Sequence, residues 1–444
     1  MTRGWWGLAA EAAPLAALLV LALSALWPAA QGRSLPYAGD LGGSDLTELN
    51  WPRRVALARS LAAGRLPLWS DALHNGFPFH AEGQAGVLYP PTLILFGFLK
   101  PLTAFNWSLV LTLWGAGAFA YALARGLGGS RWGALLAGIA FMLSGFFVAH
   151  IKHVNLIQAG CWLPLLLLAV HRCFTQGRLR YAAGAGVVLT LMVLAGHPQI
   201  AYYSAVAAVM WAAGALCIGV THAGARAQRW VRRLGFALVA VALMAGVCAA
   251  LSAAQLLPTL ELARVSRRAA GLTLTEATRF FPFRPADLLG LVWPFWQGNP
   301  AQGTFVIDPS RPLFWEGCAY VGLLPLALAA LALARPRREA WLVAGVGLAA
   351  LLLALGAWGG VYLAAWYVVP GMRFFRFPAR FLLVAQLALA VLACFGLDAL
   401  RSRFGQGWRR WMGGAACALA AGDLLLFAHA YIGWVDARAW TQPP

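Results

Sequence analysis

Residues 234–257 read LGFALVAVALMAGVCAALSAAQLL, a run without one formal charge, entered from Arg232-Arg233 and left at Pro258. As a helix rising about 1.5 Å per residue, this run is longer than the roughly 30 Å of hydrocarbon in a bilayer. Similar runs recur from one end of the chain to the other, separated by short links rich in arginine. Of the 444 residues 61% are hydrophobic and only 11% charged, and the mean hydropathy is +0.70. That composition excludes an ordinary soluble enzyme of two or three domains. The strands of a membrane barrel would be about ten residues long and alternating, so the runs read as helices. The fold class this predicts is an all-α polytopic membrane protein.

Spans are expected near 8–29, 104–124, 132–150, 155–171, 181–196, 200–219, 234–257, 313–333, 340–358, 378–398 and 411–430, about 11 transmembrane helices in all. The run from Trp5 to Ala30 is longer than a signal-peptide core and lacks a clean cleavage site, so it reads as a retained first span. With Arg3 inside, the links Arg125–Arg131, Arg172–Arg180, Arg226–Arg233, Arg335–Arg338 and Arg401–Arg410 all fall in the cytoplasm, as basic links should. Residues 87–103 are apolar but short and hold three prolines, and they read as an interfacial or re-entrant piece. The domain organisation is then a first helix (1–30), an extracytoplasmic loop (31–103), helices two to seven (104–257), a second large outer loop (258–312), helices eight to eleven (313–430) and an outer tail (431–444). Most of the acids lie in the two outer loops.

The net charge of +19 is spread over many loops and carried almost entirely by arginine, which argues against nucleic acid as a partner. Seven cysteines without a CxxC pair argue against a zinc ribbon or a disulfide framework. There is no Walker A, GxSxG or dinucleotide fingerprint.

Chemistry is expected on the outer side. Arg373, Arg376 and Arg380 interleave with Phe374, Phe375 and Phe377 at the mouth of a span, against the positive-inside bias. Their planar forks suit phosphate, although snorkelling to headgroups or pairing with loop acids would also explain them. Arg267 and Arg268 form a second outer cluster. His150, Lys152 and His153 cap one outer turn, and His197 and Gln199 the next. The i, i+3 spacing of the two histidines could serve a metal, but two nitrogens without a third ligand do not predict one. Asp45 followed by Glu48 fits a helix-capping box, which leaves Asp40 unexplained; a carboxylate at the membrane surface could also act as a general base or ligate a divalent ion. Asp423 lies inside the last span, where a lone charge costs about 3 kcal/mol and should be paired. Glu316 is a further polar candidate.

In order along the chain stand SDLTELNWPRR, GRLPLW, NGFPF, GQAGVLYPP, SGFFVAH, AGHPQIAYY, QLLPTLELARVSRR, WEGCAYVGLLPL, FRFPARF, FGLDAL and GDLLLF. Together they resemble the YfhO family of bacterial membrane proteins, which is similar to the GT-C superfamily of integral-membrane glycosyltransferases. The resemblance implies a GT-C-like fold with amphipathic helices in the first loop, in the bacterial cytoplasmic membrane, with the N-terminus inside and the active site outside. It implies transfer of a sugar from a polyprenyl-phosphate donor to an envelope glycopolymer, glycolipid or glycoprotein. It places Asp45 at the catalytic acidic position with Asp40 second, and Arg376, Arg380, Arg373, Lys152, His153, His197, Arg267 and Arg268 around the donor phosphate. Two departures stand out: Ser70-Asp71 replaces a common Asn-Pro after PLW, and the sequence stops soon after GDLLLF, as a short member or a fragment would. A transporter or flippase of a lipid-linked sugar, or a non-catalytic envelope scaffold, would share several of these features. A carrier, however, needs a polar route through the bilayer, and the spans are nearly free of charge.

Overall fold

The computed structural model describes residues 5–38, 44–73, 75–221, 227–266, 269–334 and 337–441. It is a bundle of helices with one two-stranded sheet. Seven helical segments among the described residues are long and apolar enough to cross a membrane: Pro101–Gly126, Arg131–Ala149, Val154–Gln176, Pro198–Cys217, Val231–Arg264, Pro378–Arg401 and Gln406–Tyr431. Shorter apolar helices, Glu11–Ala25, Arg180–Leu194 and Leu323–Leu333, accompany them. The chain is thus an all-α, multi-pass membrane protein.

The sequence sets the helix boundaries locally. Pro101 opens its helix where a missing N–H costs nothing, and Ser130 caps the next by accepting from the Gly133 N–H at 3.1 Å. The helix read from 234–257 extends over Ala227–Arg264, running through Pro258. The expected span 313–333 is not one helix. A short turn, Phe314–Gly317, and an extended stretch precede Leu323–Leu333, which begins after Gly322 at φ 91°. That extended stretch satisfies a break in a neighbouring helix pair: Gly145 N–H donates to Tyr320 O at 2.7 Å, and Gln386 bridges Phe146 N–H and Cys318 O. Buried backbone is in this way paired where helical bonds are missing.

The Leu382–Arg401 helix lies at the centre, buried along most of its length against Leu323–Leu333, Arg131–Met142 and Arg338–Ala354. At Gly396 a Cβ would stand 1.8 Å from the Leu328 carbonyl oxygen, so only glycine allows that backbone approach. Running for 20 residues, this helix carries Arg380 beside its first turn and Arg401 in its last, about 30 Å apart.

The first loop folds back on the bundle. A π-helical turn, Leu46–Asn50, leads into the helix Trp51–Ala62, and the short helix Pro90–Phe98 precedes Pro101. Arg54 is fully buried and bonds Thr92 Oγ1 at 2.6 Å and Gln158 Oε1 at 2.9 Å, pinning the loop to the bundle. Strand Ser34–Tyr37 pairs antiparallel with strand Gly433–Asp436, and Trp51 Nε1 donates to Trp440 O at 3.0 Å, so the end of the chain closes over the loop.

Candidate active site

Four segments meet at one end of the bundle: the first loop, the links 150–155 and 196–199, and the turn 375–380. At Gly196, with φ 91°, a Cβ would stand 2.3 Å from Gly83 O, so glycine is what lets the first loop close on the link. Between these segments opens a cavity of about 440 Å³, lined by Asp45, Glu82, His153, His197, Gln199, Glu316, Arg376 and Arg380 among others.

Asp45 precedes the π-helical turn, but its carboxylate makes no capping bond. The capping box expected at Asp45 and Glu48 does not form, and Ser44 takes the local backbone bonds instead. Glu48 accepts from the Ser44 N–H at 3.2 Å, and Ser44 Oγ from the Leu46 N–H at 3.4 Å. The Asp45 carboxylate instead meets His153 Nε2 at 3.2 Å. Asn50 holds this arrangement by donating to both Asp45 O and Lys152 O, at 3.0 and 2.9 Å. Burial pushes the His153 imidazole down to about 4, so at neutral pH it is uncharged and its Nε2–H donates to Asp45. That hydrogen bond, with Lys152 and Arg53 nearby, holds the half-buried Asp45 carboxyl below the usual range. Asp45 is therefore an oriented, ionised carboxylate facing the cavity.

The opposite wall is built on a buried ion pair. Arg380 grips Glu316 through Nε at 3.0 and 3.1 Å and through Nη2 at 2.6 Å, and it donates from Nη1 to Gln199 Oε1 at 2.7 Å. Burial opposes ionisation of Glu316, yet the Arg380 charge holds its carboxyl far below the ordinary range. His150 Nδ1 lies 2.9 Å from Phe146 O, and its Nε2 lies 3.7 Å from Glu316 Oε2. Burial keeps His150 and His197 neutral, and for His197 the Arg380 charge adds to the effect. Most of the Arg380 fork, expected at the donor phosphate, is committed here to a carboxylate and a glutamine. Lys152, also expected at the phosphate, is 2% exposed with its Nζ 3.3 Å from the centroid of the Trp315 ring, and it does not line the cavity. His197 lines the cavity as a neutral imidazole rather than as a cation.

Arg376 is exposed on the rim, 4.6 Å over the Phe377 ring. Phe377 has φ 61°, a left-handed backbone that costs a non-glycine residue about 1–3 kcal/mol. Gln199 holds it there by donating to Arg376 O and Phe377 O. Arg373 points elsewhere, with its backbone oxygen accepting from the Leu272 N–H. Asp423 is also apart from the cavity; it accepts from Tyr320 Oη at 2.5 Å and from the Leu323 N–H at 2.9 Å, capping the Leu323–Leu333 helix. Asp40, Arg267 and Arg268 lie outside the described residues.

Sequence reasoning missed Glu82, which faces the same cavity. Burial raises its carboxyl pKa despite Arg53 at 3.3 Å. Trp315, beside Glu316 in the WEG motif, was missed as well, and both residues stand within quoted motifs or beside them. Among the described residues no three His, Cys, Asp or Glu side chains converge as metal ligands.

No family model matches the sequence and no curated protein is similar to it, so the likeness to the YfhO family rests on the motifs alone. Among solved structures the chain is similar to the mycobacterial arabinofuranosyltransferase AftD, at 16% identity and a TM-score of 0.53, over 97% of this chain and 27% of that one. A mutant of the same enzyme matches at 17% identity and a TM-score of 0.47, over 95% and 28%. The chain thus spans about a quarter of the length of the enzyme it resembles. At this level of identity the likeness is one of fold.

Proposed function

We propose that the chain is a membrane glycosyltransferase that moves a sugar from a polyprenyl-phosphate carrier to an envelope acceptor on the extracytoplasmic face. The observation that supports this most directly is the Asp45 carboxylate, ionised and aimed by His153, across one cavity from the rim guanidinium of Arg376. In the transfer, the acceptor hydroxyl oxygen forms a bond to the anomeric carbon while that carbon's bond to the phosphate oxygen breaks. The electron pair leaves with the carrier phosphate, whose growing charge faces Arg376. The hydroxyl proton passes to Asp45. A cationic rim stabilises a leaving phosphate most in the transition state, where its charge is largest. The buried Glu316–Arg380 pair acts as scaffold, fixing Gln199 and the turn that presents Arg376. A pentofuranosyl donor is the first to test, given the named activity of the similar enzyme.

The test uses membrane vesicles carrying the full chain, a polyprenyl-phosphate-linked pentose and a glycan acceptor. Asp45→Asn is expected to lower transfer by about 10²–10⁴-fold, the usual value of a general base. Transfer unchanged by both Asp45→Asn and Asp40→Asn would remove the carboxylate from the mechanism.

A further inference from the structure

A second cavity, of about 470 Å³, lies at the other end of the same helices and takes no part in the proposed transfer. The end of Pro101–Gly126, the start of Arg131–Met142, the end of Leu382–Arg401 and the start of Gln406–Tyr431 converge there. Its wall carries Arg125, Arg131, Arg401, Arg409 and Arg410. Among the described residues, the acids in contact with these guanidinia are Glu11, which meets Arg125 at 3.0 Å and Arg131 at 3.4 Å, and Asp398, 3.9 Å from Arg401. Five positive charges thus face two negative ones. Ser130 Oγ and N–H already engage Asp398, which further removes that carboxylate from the cavity.

The donors are only partly used. Arg401 donates from Nε to Arg409 O and from Nη1 to Ser130 Oγ, and Arg409 from Nε to Phe404 O and from Nη2 to Ser402 O, which folds the link 402–405 into a fixed wall. Arg131 is half exposed, lines the cavity and bonds Glu11 through Nε. Arg410 is exposed and makes no ion pair among the described residues. Arg125 Nε is buried without an acceptor. The Gln406–Tyr431 helix opens here without a side-chain cap, so its first N–H groups and the positive end of its dipole add to the same field. Trp408 and Trp411, 71% and 79% exposed on the first two turns, are amphipathic rings of the kind that lie at headgroup depth.

We infer that this cavity is a binding site for a phosphate group, and that its occupant is the headgroup of an anionic glycerophospholipid from the surrounding leaflet. Forked guanidinia on several helix ends match phosphate oxygens, and the exposed tryptophans beside them mark the depth at which a lipid phosphate sits. Occupied, the site ties together four helix ends that no strand or long loop joins. It is separated from the sugar-transfer cavity by the length of the Leu382–Arg401 helix, so the two sites are independent in composition.

The experiment is native mass spectrometry of the purified full chain in detergent, titrated with phosphatidylglycerol, phosphatidylcholine or inorganic phosphate. Phosphatidylglycerol is expected to bind in preference to phosphatidylcholine. At about 1 kcal/mol per basic residue, Arg131→Gln with Arg410→Gln weakens it about thirtyfold, while Arg131→Lys with Arg410→Lys retains most of the affinity. Arg232→Gln, outside the cavity, leaves binding unchanged. Should the glutamine variant fail to fold, the native chain still decides: raising salt must release phosphatidylglycerol and leave any phosphatidylcholine in place. Equal affinity for the two lipids, equal binding by the native and glutamine variants, or occupancy by inorganic phosphate in place of phosphatidylglycerol would each overturn the inference.

Discussion

Replacing Arg380 by alanine tests whether that residue is scaffold or ligand. Glu316 is 2% exposed, and Arg380 supplies three of the contacts that keep it ionised. Deleting one partner of a buried pair leaves the other charge uncompensated, at about 3–5 kcal/mol. Spread over 444 residues at about 2 cal/mol/K per residue, that lowers the melting temperature by about 3–5 °C. The deficit depends on pH in a defined direction. In the native chain Glu316 has a depressed pKa, so its contribution is present above the ordinary carboxylate range and lost on acidification. Without Arg380, burial raises the same pKa, so the variant's deficit is greatest at high pH and closes as pH falls. The assay is thermal unfolding in detergent at pH 8 and pH 5 for Arg380→Ala, Glu316→Gln and the double variant Glu316→Gln with Arg380→Gln. The neutral double variant is expected to be more stable than Arg380→Ala. Were Arg380→Ala to keep the native melting temperature while losing donor binding, the scaffold reading would be refuted and Arg380 would be a phosphate ligand.

Acidification should also act through His153, whose pKa falls from the ordinary 6.5 to about 4 on folding. The unfolded chain takes up the proton first, so stability falls between pH 6.5 and 4, by about 3 kcal/mol from this residue. Melting curves of the native chain and of His153→Gln across that range should diverge near neutrality and converge at acid pH; parallel curves would contradict the assignment. Asp423→Ala leaves Tyr320 Oη and the Leu323 N–H without their acceptor and should cost about 1–3 kcal/mol, with transfer per folded molecule preserved. A variant of unchanged melting temperature that had lost transfer would bring Asp423 back into the chemistry.

The membrane helices were legible because length and apolarity act residue by residue and need no partner. The Arg232–Leu257 stretch declares itself without reference to any other part of the chain. What stayed hidden depends on contacts between distant segments. Arg380 in FRFPARF reads as a spare cation until Glu316, 64 residues earlier, is seen to fill its fork. His153 reads as a donor to the carrier phosphate, whereas its Nε2 serves Asp45. Phe377 carries no sign of a left-handed turn, since phenylalanine gains nothing there; Gln199 imposes it from another helix. The span expected at 313–333 failed for a related reason. Its first ten residues form a short helical turn, Phe314–Gly317, and an extended partner for broken helices rather than the start of one long helix.

The pairing of Ser34–Tyr37 with Gly433–Asp436 has a consequence for biogenesis. The first of these strands waits for a partner made roughly 400 residues later, and at about 5–20 residues per second that interval is about 20–80 s. Throughout it Ser34–Tyr37 has no partner strand, so the backbone bonds that join these two distant segments form only after the Gln406–Tyr431 helix has been made.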